Sequence, residues 1–390
     1  MSVRIALLGC TGSIGGAALA VLRRLGPEYE LYGVSAHSSV EGLLDCCREF
    51  RPRRVVLCDP ESADRFARHR GNGCRLDAGE GSLADLAADP NVDLIVNALV
   101  GAVGLVPTLA ALEAGKRVAL ANKEPLVMGG PLVRRALQRG GGELIPVDSE
   151  HSALFQLLEG RPQSDVRRLV ITASGGPFRG RSREELAEVT PAQALAHPTW
   201  SMGPKISVDS ATLANKGLEV IEAHVLFAVP YASLSVVIHP QSVVHGLVEL
   251  LDGSFLAHLG TPTMELPLQY ALTYPQRRPV PDSALCLREL GSLTFEPADE
   301  IAFPALALAR RAGEAGGTSP AVYSAANEVA NLAFRQGRIS FNEIPDAIEH
   351  ALETVVGEPV EGLEDVLRAD ARARAAAEEW VEGATLARES

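Results

Sequence analysis

The stretch VRIALLGCTGSIGGAALAVLRRL, residues 3–25, decides the fold. It predicts a buried strand, a glycine turn and a helix in immediate succession. The spacing of Gly9, Gly12 and Gly15 differs from GxGxxG. The setting is nevertheless that of a pyrophosphate site, where backbone N–H groups and the helix dipole attract an anion. A tight turn that binds no ligand is the alternative that these residues leave open.

The sequence continues this alternation of apolar strands and helical segments up to about residue 150. Alternation of this kind predicts an α/β protein with a parallel sheet covered by helices on both faces. Longer connections between the later strand-like runs indicate an α+β region, several prolines indicate a linker, and Ala-rich segments indicate a helical bundle. The predicted domains are a Rossmann-like parallel-sheet domain over 1–149, an α+β domain over 150–274, a linker over 275–300 and a C-terminal helical domain over 301–390.

The composition is that of an ordinary globular protein. The 390 residues are 46% hydrophobic and 22% charged, with a formal net charge of -13, and no apolar run reaches the length of a membrane span. The acidic balance and the absence of dense Lys/Arg runs argue against nucleic acid or an anionic membrane as a partner. Six cysteines without metal-ligand spacing predict reduced thiols in a cytoplasmic protein. The N-terminal apolar run leads into the glycine turn instead of a cleavage site, so we interpret it as a strand and not as a signal peptide.

The end of the second predicted strand, VSAHSS, contains no carboxylate. An NAD site usually places Asp or Glu there, where it binds the ribose 2′-hydroxyl. Ser35, His37, Ser38 and Ser39 could instead donate hydrogen bonds to a 2′-phosphate. These side chains favour NADP over NAD.

The stretch VDSEHS, residues 147–152, contains two carboxylates. Asp148 or Ser149 could cap a helix through ALFQLL, with Glu150 favoured in its first turn by the helix dipole. If the preceding strand instead reaches residue 150, Asp148 and Glu150 share a face, and two like charges so close require a cation.

A third carboxylate lies in NKGLEVIEAHVLF, residues 215–227. Glu219 follows Lys216 by three residues on a predicted helix, so an intrahelical ion pair is one interpretation. The other is that Glu219 joins the two carboxylates of VDSEHS. Three carboxylates without a Cys or His ligand pattern select a hard cation such as Mg²⁺ or Mn²⁺.

Two further segments carry hydroxyls, a glycine turn and a cation, which together predict a phosphate site. Ser174 precedes two glycines after a strand, and VDSAT at 208–212 precedes the helix with Lys216. Each piece alone is more often a turn or a cap. The long connection between them carries Trp200, which is either part of a closing flap or packed in a satellite core. His245 lies just inside a strand, where a core histidine is the commoner interpretation.

Seven motifs in order carry a resemblance: GCTGSIG, VGAVGLVPTLAALEAGKRVALANKE, LIPVDSEHSALFQLL, ITASGGPFRG, HPTWSMGPKISVDSATLANKGLEVIEAHVLF, VVIHPQSVVHGLVELLDGS and SAANEVANLAF. The chain resembles the 1-deoxy-D-xylulose 5-phosphate reductoisomerase family over nearly its whole length. The resemblance implies rearrangement of that ketose phosphate and hydride transfer from NADPH, giving 2-C-methyl-D-erythritol 4-phosphate on the non-mevalonate isoprenoid route. It also implies a divalent cation (Mg, Mn or Co), NADP binding by the domain over 1–149, and catalysis and homodimer formation by the domain over 150–274.

The resemblance further implies roles for individual residues. The implied metal ligands are Asp148, Glu150 and Glu219. The implied catalytic residues are Lys123, Glu150 and His245. The implied substrate-binding residues are Lys123, Ser149, Glu150, Ser174, His197, Trp200, Met202, Ser210, Asn215, Lys216 and Glu219. The NADPH-binding residues are predicted to be Thr11, Gly12, Ser13, Ile14, Ser35, His37, Ser38, Ser39, Asn122, Glu124 and Gly203.

The sequence departs from the family pattern at three places. Pro125 stands where Ser or Thr is usual, and His258 stands where Gln is usual. The turn AHSSV lacks the basic residue usual at the adenosine 2′-phosphate site, so the NADP prediction depends more on the resemblance than on these residues. The sequence leaves two other functions open. One is a plain NADP-dependent carbonyl reductase, which would give no carbon migration. The other is a non-catalytic dinucleotide sensor, against which the intact carboxylates and lysines argue.

Overall fold

The computed structural model of the chain describes residues 2–69, 73–280 and 284–389. The chain divides into two units. The first comprises Met1–Pro125, Leu132–Ser152 and Thr263–Asp282, and the second comprises Leu126–Pro131, Ala153–Pro262 and Ser283–Ser390. The finer division into four functional segments stays a prediction.

The described part of the first unit contains a seven-stranded parallel sheet. Its strands are β1 (Val3–Leu8), β2 (Tyr29–Ala36), β3 (Arg54–Leu57), β4 (Arg75–Ala78), β5 (Leu94–Asn97), β6 (Arg117–Leu120) and β7 (Glu143–Pro146). The strand order is β4-β3-β2-β1-β5-β6-β7, and every neighbouring pair is parallel. The direction of winding reverses between β1 and β5, which is the topological switch point where α/β sheets bind ligands beyond the carboxyl ends of their strands. The predicted Rossmann-like fold is confirmed.

Helices connect these strands and make up most of the rest of the described chain. They are α1 (Ser13–Leu25), α2 (Val40–Phe50), α3 (Pro60–His69), α4 (Gly81–Ala87), α5 (Leu105–Glu113), α6 (Glu124–Gly140), α7 (Ser149–Leu158), α8 (Pro191–Leu195), α9 (Pro204–Ala211), α10 (Ala214–Phe227), α11 (Glu265–Thr273), α12 (Ala305–Ala315), α13 (Ser319–Arg335), α14 (Glu343–Thr354) and α15 (Leu363–Glu389). Among the described residues, none of these helices combines the length and the apolar character needed to cross a bilayer.

The second unit contains a mixed sheet, as the longer connections predicted. Its strands are β8 (Val166–Ala173), β9 (Leu234–Ile238), β10 (Val244–Leu250), β11 (Phe255–Leu259) and β12 (Glu296–Pro297). Their order is β11-β10-β8-β9-β12. Among the described strands of this second sheet, only the β8–β9 pair is parallel.

The C-terminal helices α12 to α15 form the predicted bundle, and one apolar cluster runs through the second unit. This cluster joins residues of the sheet, such as Ile171, to residues of α13 and α14, such as Phe334 and Ile348. All three side chains are at most 1% exposed, and burying a side chain of this size contributes roughly 1.5–3 kcal/mol. The helical bundle therefore supports the sheet of the second unit from within a shared core.

Candidate active site

The glycine turn after β1 forms a tight loop that ends at the first turn of α1. Gly9 has a φ of +86°, and a Cβ on it would lie 2.6 Å from the carbonyl oxygen of Ala98. A Cβ on Gly15 would lie 2.3 Å from the carbonyl oxygen of Gly9. Both positions therefore require glycine for close backbone approach, as in dinucleotide-binding loops. The first turn of α1 holds no acidic residue, so its N-terminus suits an anion.

Ser35 lies inside the fold and holds this loop. Its Oγ accepts the N–H of Gly9 at 3.0 Å, and its carbonyl oxygen accepts the N–H of Cys10 at 2.9 Å. Because Ser35 is 0% exposed, its hydroxyl supports the loop in this structure. The other predicted cofactor residues of this region are exposed or half-buried: Thr11, Gly12, Ser13, Ile14, His37, Ser38 and Ser39.

Asn122 and Glu124 lie at the end of β6, next to the glycine-containing turn after β5. Asn122 Nδ2 donates to Glu124 Oε2 at 2.5 Å and to the carbonyl oxygen of Gly101 at 3.3 Å. A Cβ on Gly104 would lie 1.6 Å from Asn122 Oδ1. The turn that contains Gly104 therefore packs directly against the side-chain amide of Asn122. Pro125 follows as a residue of the first turn of α6, where a missing N–H costs nothing.

Lys123 and Asp148 form an ion pair at the carboxyl edge of the parallel sheet. Lys123 Nζ lies 2.7 Å from Asp148 Oδ2, and the two side chains are 7% and 11% exposed. Lys123 follows β6 and Asp148 follows β7, which are neighbouring parallel strands. Their carboxyl ends meet at the same edge as that of β1, which carries the glycine loop.

Asp148 also caps α7, so the strand interpretation of VDSEHS is wrong. β7 ends at Pro146 and the helix begins at Ser149. Asp148 Oδ1 accepts the backbone N–H of Glu150 at 3.2 Å and the Nδ1–H of His151 at 3.0 Å. The carboxylates of Asp148 and Glu150 are therefore brought together by the turn at a helix N-terminus, where negative charge is favoured.

Glu150 and Ser149 occupy the first turn of α7, and both are half-buried. Ser149 Oγ donates to Glu150 Oε2 at 2.8 Å. His151, which follows them, is fully buried. The sequence alone indicated no role for His151, although its position three residues after Asp148 is the spacing at which helical side chains meet.

Glu219 lies in α10 of the second unit with the predicted lysine partner. Lys216 Nζ forms an ion pair with Glu219 Oε2, and Asn215 Nδ2 donates to Glu219 Oε1 at 2.6 Å. Glu219 is 1% exposed and Lys216 is 6% exposed. The predicted intrahelical ion pair is therefore confirmed. Because both side chains are buried, removing either charge would leave the other uncompensated.

Ser174 and His197 form an oriented hydrogen-bond pair in the second unit. His197 Nδ1 accepts the backbone N–H groups of Thr199 at 3.1 Å and Trp200 at 2.9 Å. The ring proton is thus on Nε2, which donates to Ser174 Oγ at 2.8 Å, and burial lowers the pKa of His197 below its ordinary value, which keeps the ring neutral. Gly176 N–H also donates to Ser174 Oγ at 3.2 Å. Because Ser174 Oγ accepts both of these hydrogen bonds, its own hydroxyl proton remains available to be donated. An anion needs a donor of this kind.

The glycine turn after Ser174 packs on the end of α9. Gly175 and Gly176 have φ values of +84° and +65°, which explains why glycine occupies both positions. A Cβ on Gly176 would lie 3.0 Å from the carbonyl oxygen of Ser210. Leu213 then adopts a left-handed conformation with a φ of +61°, and Asn215 lies in the first turn of α10. The turn after Ser174 therefore packs on the end of α9 that carries Ser210, and the role of these residues in phosphate binding stays a prediction.

His245 is buried in β10 with aromatic neighbours. The ring of Trp200 lies 6.4 Å away between centroids and that of His258 lies 6.2 Å away. Burial lowers the pKa of His245 to about 4, and the nearby His258 adds to this effect. His245 is thus neutral at physiological pH. Trp200, Met202 and Gly203 are half-buried, with Gly203 at the N-cap of α9.

The fold and these side chains define a class of protein. A parallel sheet with a glycine loop at its switch point and a lysine and carboxylates at the same edge is the arrangement of a nicotinamide-dinucleotide-dependent oxidoreductase. Family models described as 1-deoxy-D-xylulose 5-phosphate reductoisomerase, its C-terminal domain, and DXP reductoisomerase C-terminal domain match residues 5–130, 144–227 and 259–376. The chain belongs to the 1-deoxy-D-xylulose 5-phosphate reductoisomerase family.

Individual relatives agree over nearly full length. The 1-deoxy-D-xylulose 5-phosphate reductoisomerase of Aromatoleum aromaticum is 50% identical over 379 residues, covering 95% of this chain and 94% of the relative. A structure of the Zymomonas mobilis enzyme in complex with NADPH has a TM-score of 0.91 and 40% identity, covering 98% of this chain and 100% of that one. A DOX-P reductoisomerase structure with NADPH, fosmidomycin and magnesium has a TM-score of 0.92 and 38% identity, covering 97% and 98%. The predicted family is confirmed.

Proposed function

We propose that this chain catalyses the NADPH- and divalent-metal-dependent conversion of 1-deoxy-D-xylulose 5-phosphate to 2-C-methyl-D-erythritol 4-phosphate. The observation that carries the proposal is the carboxyl edge of the parallel sheet. The glycine loop after β1 and the pair Lys123–Asp148 after β6 and β7 lie at this one edge, so a dinucleotide and a polar substrate meet there. Relatives with this name cover nearly the whole chain.

NADPH binds through the loop backbone and the end of β2. The N-terminus of α1 receives the pyrophosphate. His37, Ser38 and Ser39 are exposed directly after β2 and receive the 2′-phosphate, and this segment itself contains no carboxylate that would repel it. The buried Ser35 supports the loop, because its Oγ accepts the N–H of Gly9.

The donor chemistry of the three predicted ligands fits a hard divalent cation. Asp148, Glu150 and Glu219 offer carboxylate oxygens, which magnesium and manganese prefer. When bound, such a cation would polarise the substrate ketone and stabilise the negative charge that develops on its oxygen. The structure neighbours crystallised with magnesium support this assignment for the family.

The chain's own side chains bind and orient the substrate. Lys123 donates a proton to the alkoxide that develops during carbon migration, and Ser149 binds a substrate hydroxyl. The phosphate end is bound by Ser174, His197, Ser210, Asn215 and Lys216, which supplies remote binding energy for the reacting end. Trp200 and Met202 close over the substrate and exclude water.

The enzyme acts as a homodimer. β11 ends the strand order of the described second sheet, and it exposes Phe255 by 53% and Leu259 by 37%. An exposed apolar edge strand is a template for pairing with another chain. A second copy offers the same edge, as a two-fold interface requires.

The compartment is the cytoplasm. All six cysteines are free, and three of them are buried. Reduced thiols of this kind are typical of proteins in a reducing compartment.

The decisive experiment is NADPH oxidation by the full chain with 1-deoxy-D-xylulose 5-phosphate, with and without a chelator. We expect substrate-dependent oxidation that a chelator stops and that added Mg²⁺ restores. Product analysis must give a branched tetrol phosphate, since a plain carbonyl reductase leaves the carbon skeleton unbranched. NADPH binding without any substrate-dependent oxidation would instead indicate a dinucleotide sensor.

A further inference from the structure

A buried carboxylate lies beside the predicted phosphate site and has no role in the proposed chemistry. Asp209 belongs to the last turn of α9, directly before Ser210, and is 2% exposed. Its Oδ2 lies 3.0 Å from Lys205 Nζ. Its Oδ1 accepts hydrogen bonds from Asn327 Nδ2 at 2.9 Å and Asn331 Nδ2 at 2.8 Å. A buried charge is tolerated only when it is bonded in this way, so the carboxylate is fixed from two helices.

The two asparagines come from one face of α13, because they are four residues apart. Asn331 Nδ2 also donates to the carbonyl oxygen of Lys205 at 2.9 Å, in the first turn of α9. Its Oδ1 accepts a hydrogen bond from Arg335 Nε at 2.8 Å. One amide of α13 therefore holds both ends of α9, and its own orientation is fixed by Arg335.

A third residue of the same face supports the start of α10. Tyr323 lies four residues before Asn327, and its Oη lies 3.0 Å from the carbonyl oxygen of Ala305 and 3.5 Å from that of Ala214. A Cβ on Gly217 would lie 2.9 Å from Tyr323 Oη. Burial raises the pKa of Tyr323 well above its ordinary value, and the charge of Asp209 adds to this effect. The phenol therefore stays a neutral donor.

We propose that Asn327 and Asn331 are positioning residues for the phosphate group of the substrate. They fix α9, which carries Ser210, and through the packing of Gly176 on Ser210 they also fix the turn after Ser174. A shift of the phosphate-binding groups by a fraction of a hydrogen-bond length sharply impairs how the substrate is held and oriented. The inference rests on the proposed function, since it assigns these residues to the phosphate end of that same site.

The test compares two asparagine-to-leucine variants of the full chain. Asn331→Leu removes one of the two amides that bond Asp209 and the hydrogen bond to the carbonyl oxygen of Lys205. The matched control is Asn342→Leu, since Asn342 Nδ2 also donates across the second unit, to the carbonyl oxygen of Arg183 at 2.8 Å, but it does not contact α9 in the described hydrogen bonds. The measurements are the thermal midpoint, the KM values for substrate and NADPH, kcat, and the inhibition constant of inorganic phosphate.

We expect Asn331→Leu to raise both the substrate KM and the phosphate inhibition constant by about 10-fold, with a smaller change in kcat and an unchanged KM for NADPH. Asn342→Leu should lower the thermal midpoint without changing the phosphate inhibition constant. If Asn331→Leu does not fold, Asn327→Ala removes a single donor to Asp209 and should raise the same two constants.

The inference is overturned if a folded variant at either asparagine is destabilised but keeps the parent inhibition constant for phosphate. That result would leave a structural role only. If the parent chain itself does not consume NADPH with the substrate, no inhibition constant can be measured, the proposed function fails and the inference falls with it. The two failures are therefore distinguished by the behaviour of the parent chain.

Discussion

The proposed nucleotide site of the first unit and the proposed phosphate site of the second unit are built by different means. The first uses backbone: Gly9 and Gly15 let the chain approach itself closely, and the helix N-terminus supplies the N–H groups. The second uses side chains whose orientation depends on one another, as in the bond between Ser174 and His197. Backbone sites therefore fail when an atom is added, whereas side-chain sites fail when a partner is removed.

The largest expected effect is the loss of one carboxylate from the proposed metal site. Glu219→Gln keeps the shape of the side chain but removes its charge. We expect kcat to fall by about 1,000-fold, since a cation supplies several kcal/mol of charge stabilisation. The affinity for NADPH, measured by fluorescence titration, should not change, because Glu219 is not one of the residues predicted to bind NADPH.

The control is Glu249→Gln, which also removes a buried charge from the second unit. Glu249 is 4% exposed and is paired with Arg168 at 2.5 Å, away from the predicted ligands in the sequence. It should lower stability and leave kcat near that of the parent chain. Parent-like turnover of Glu219→Gln with Mg²⁺ would exclude Glu219 as a ligand.

An added side chain in the glycine loop should have the next largest effect. Gly15→Val places a Cβ where the carbonyl oxygen of Gly9 is 2.3 Å away, which forces the loop and α1 apart. We expect the dissociation constant for NADPH to rise about 100-fold, as a misplaced anion site would give. Fluorescence titration with NADPH measures the change.

Gly16→Ala is the matched control one residue further along α1. A Cβ on Gly16 has no described heavy atom within 4 Å, and Ala is the better helix former by about 1 kcal/mol. This variant should bind NADPH like the parent chain and be slightly more stable. Equal NADPH affinities for Gly15→Val and Gly16→Ala would contradict a backbone-built nucleotide site.

The smallest expected effect concerns the pH dependence of stability in the side-chain region. The pKa of His245 is lowered from 6.5 to about 4 in the folded chain, so the unfolded chain binds more protons between these values. The contribution of His245 to the free energy of unfolding is therefore fully present above pH 6.5 and is lost as the pH falls toward 4. Between pH 7 and pH 5 the loss is about 2 kcal/mol of unfolding free energy.

Urea unfolding at pH 7 and pH 5 measures this contribution by difference. His245→Gln should reduce the loss on acidification by about 2 kcal/mol relative to the parent chain. His69→Gln replaces an exposed histidine and should leave the loss unchanged. If both variants lose stability on acidification as the parent chain does, the buried neutral state of His245 is wrong.

The same contrast explains which elements could be predicted. The strands with continuous apolar runs, such as β1 and β5, are evident in the sequence because a strand buried on both faces must be apolar. β4 has the sequence RLDA, and none of its residues is buried, so periodicity gives no signal for it. The sheet order nevertheless places it at the edge, where polar residues are tolerated.

The candidate site was predictable only in part, for a similar reason. VDSEHS allowed both a strand and a helix cap, and only the structure shows that α7 begins at Ser149. The network around Asp209 was not found, because its asparagine partners lie 118 and 122 residues further along the chain. Its one local signal was Lys205, four residues earlier, which by itself indicates an ordinary helical ion pair.

By itself, the sequence determined the strand, glycine turn and helix of the nucleotide loop, the alternation of the parallel sheet and the family. These features depend on neighbouring residues, whose geometry the covalent chain fixes. Only the tertiary structure decided that Ser35 supports the loop from inside, that His197 orients Ser174, and that α13 holds Asp209. Such contacts join residues that are distant in the chain, and their partners are chosen by packing and by the cost of leaving a buried polar group unbonded.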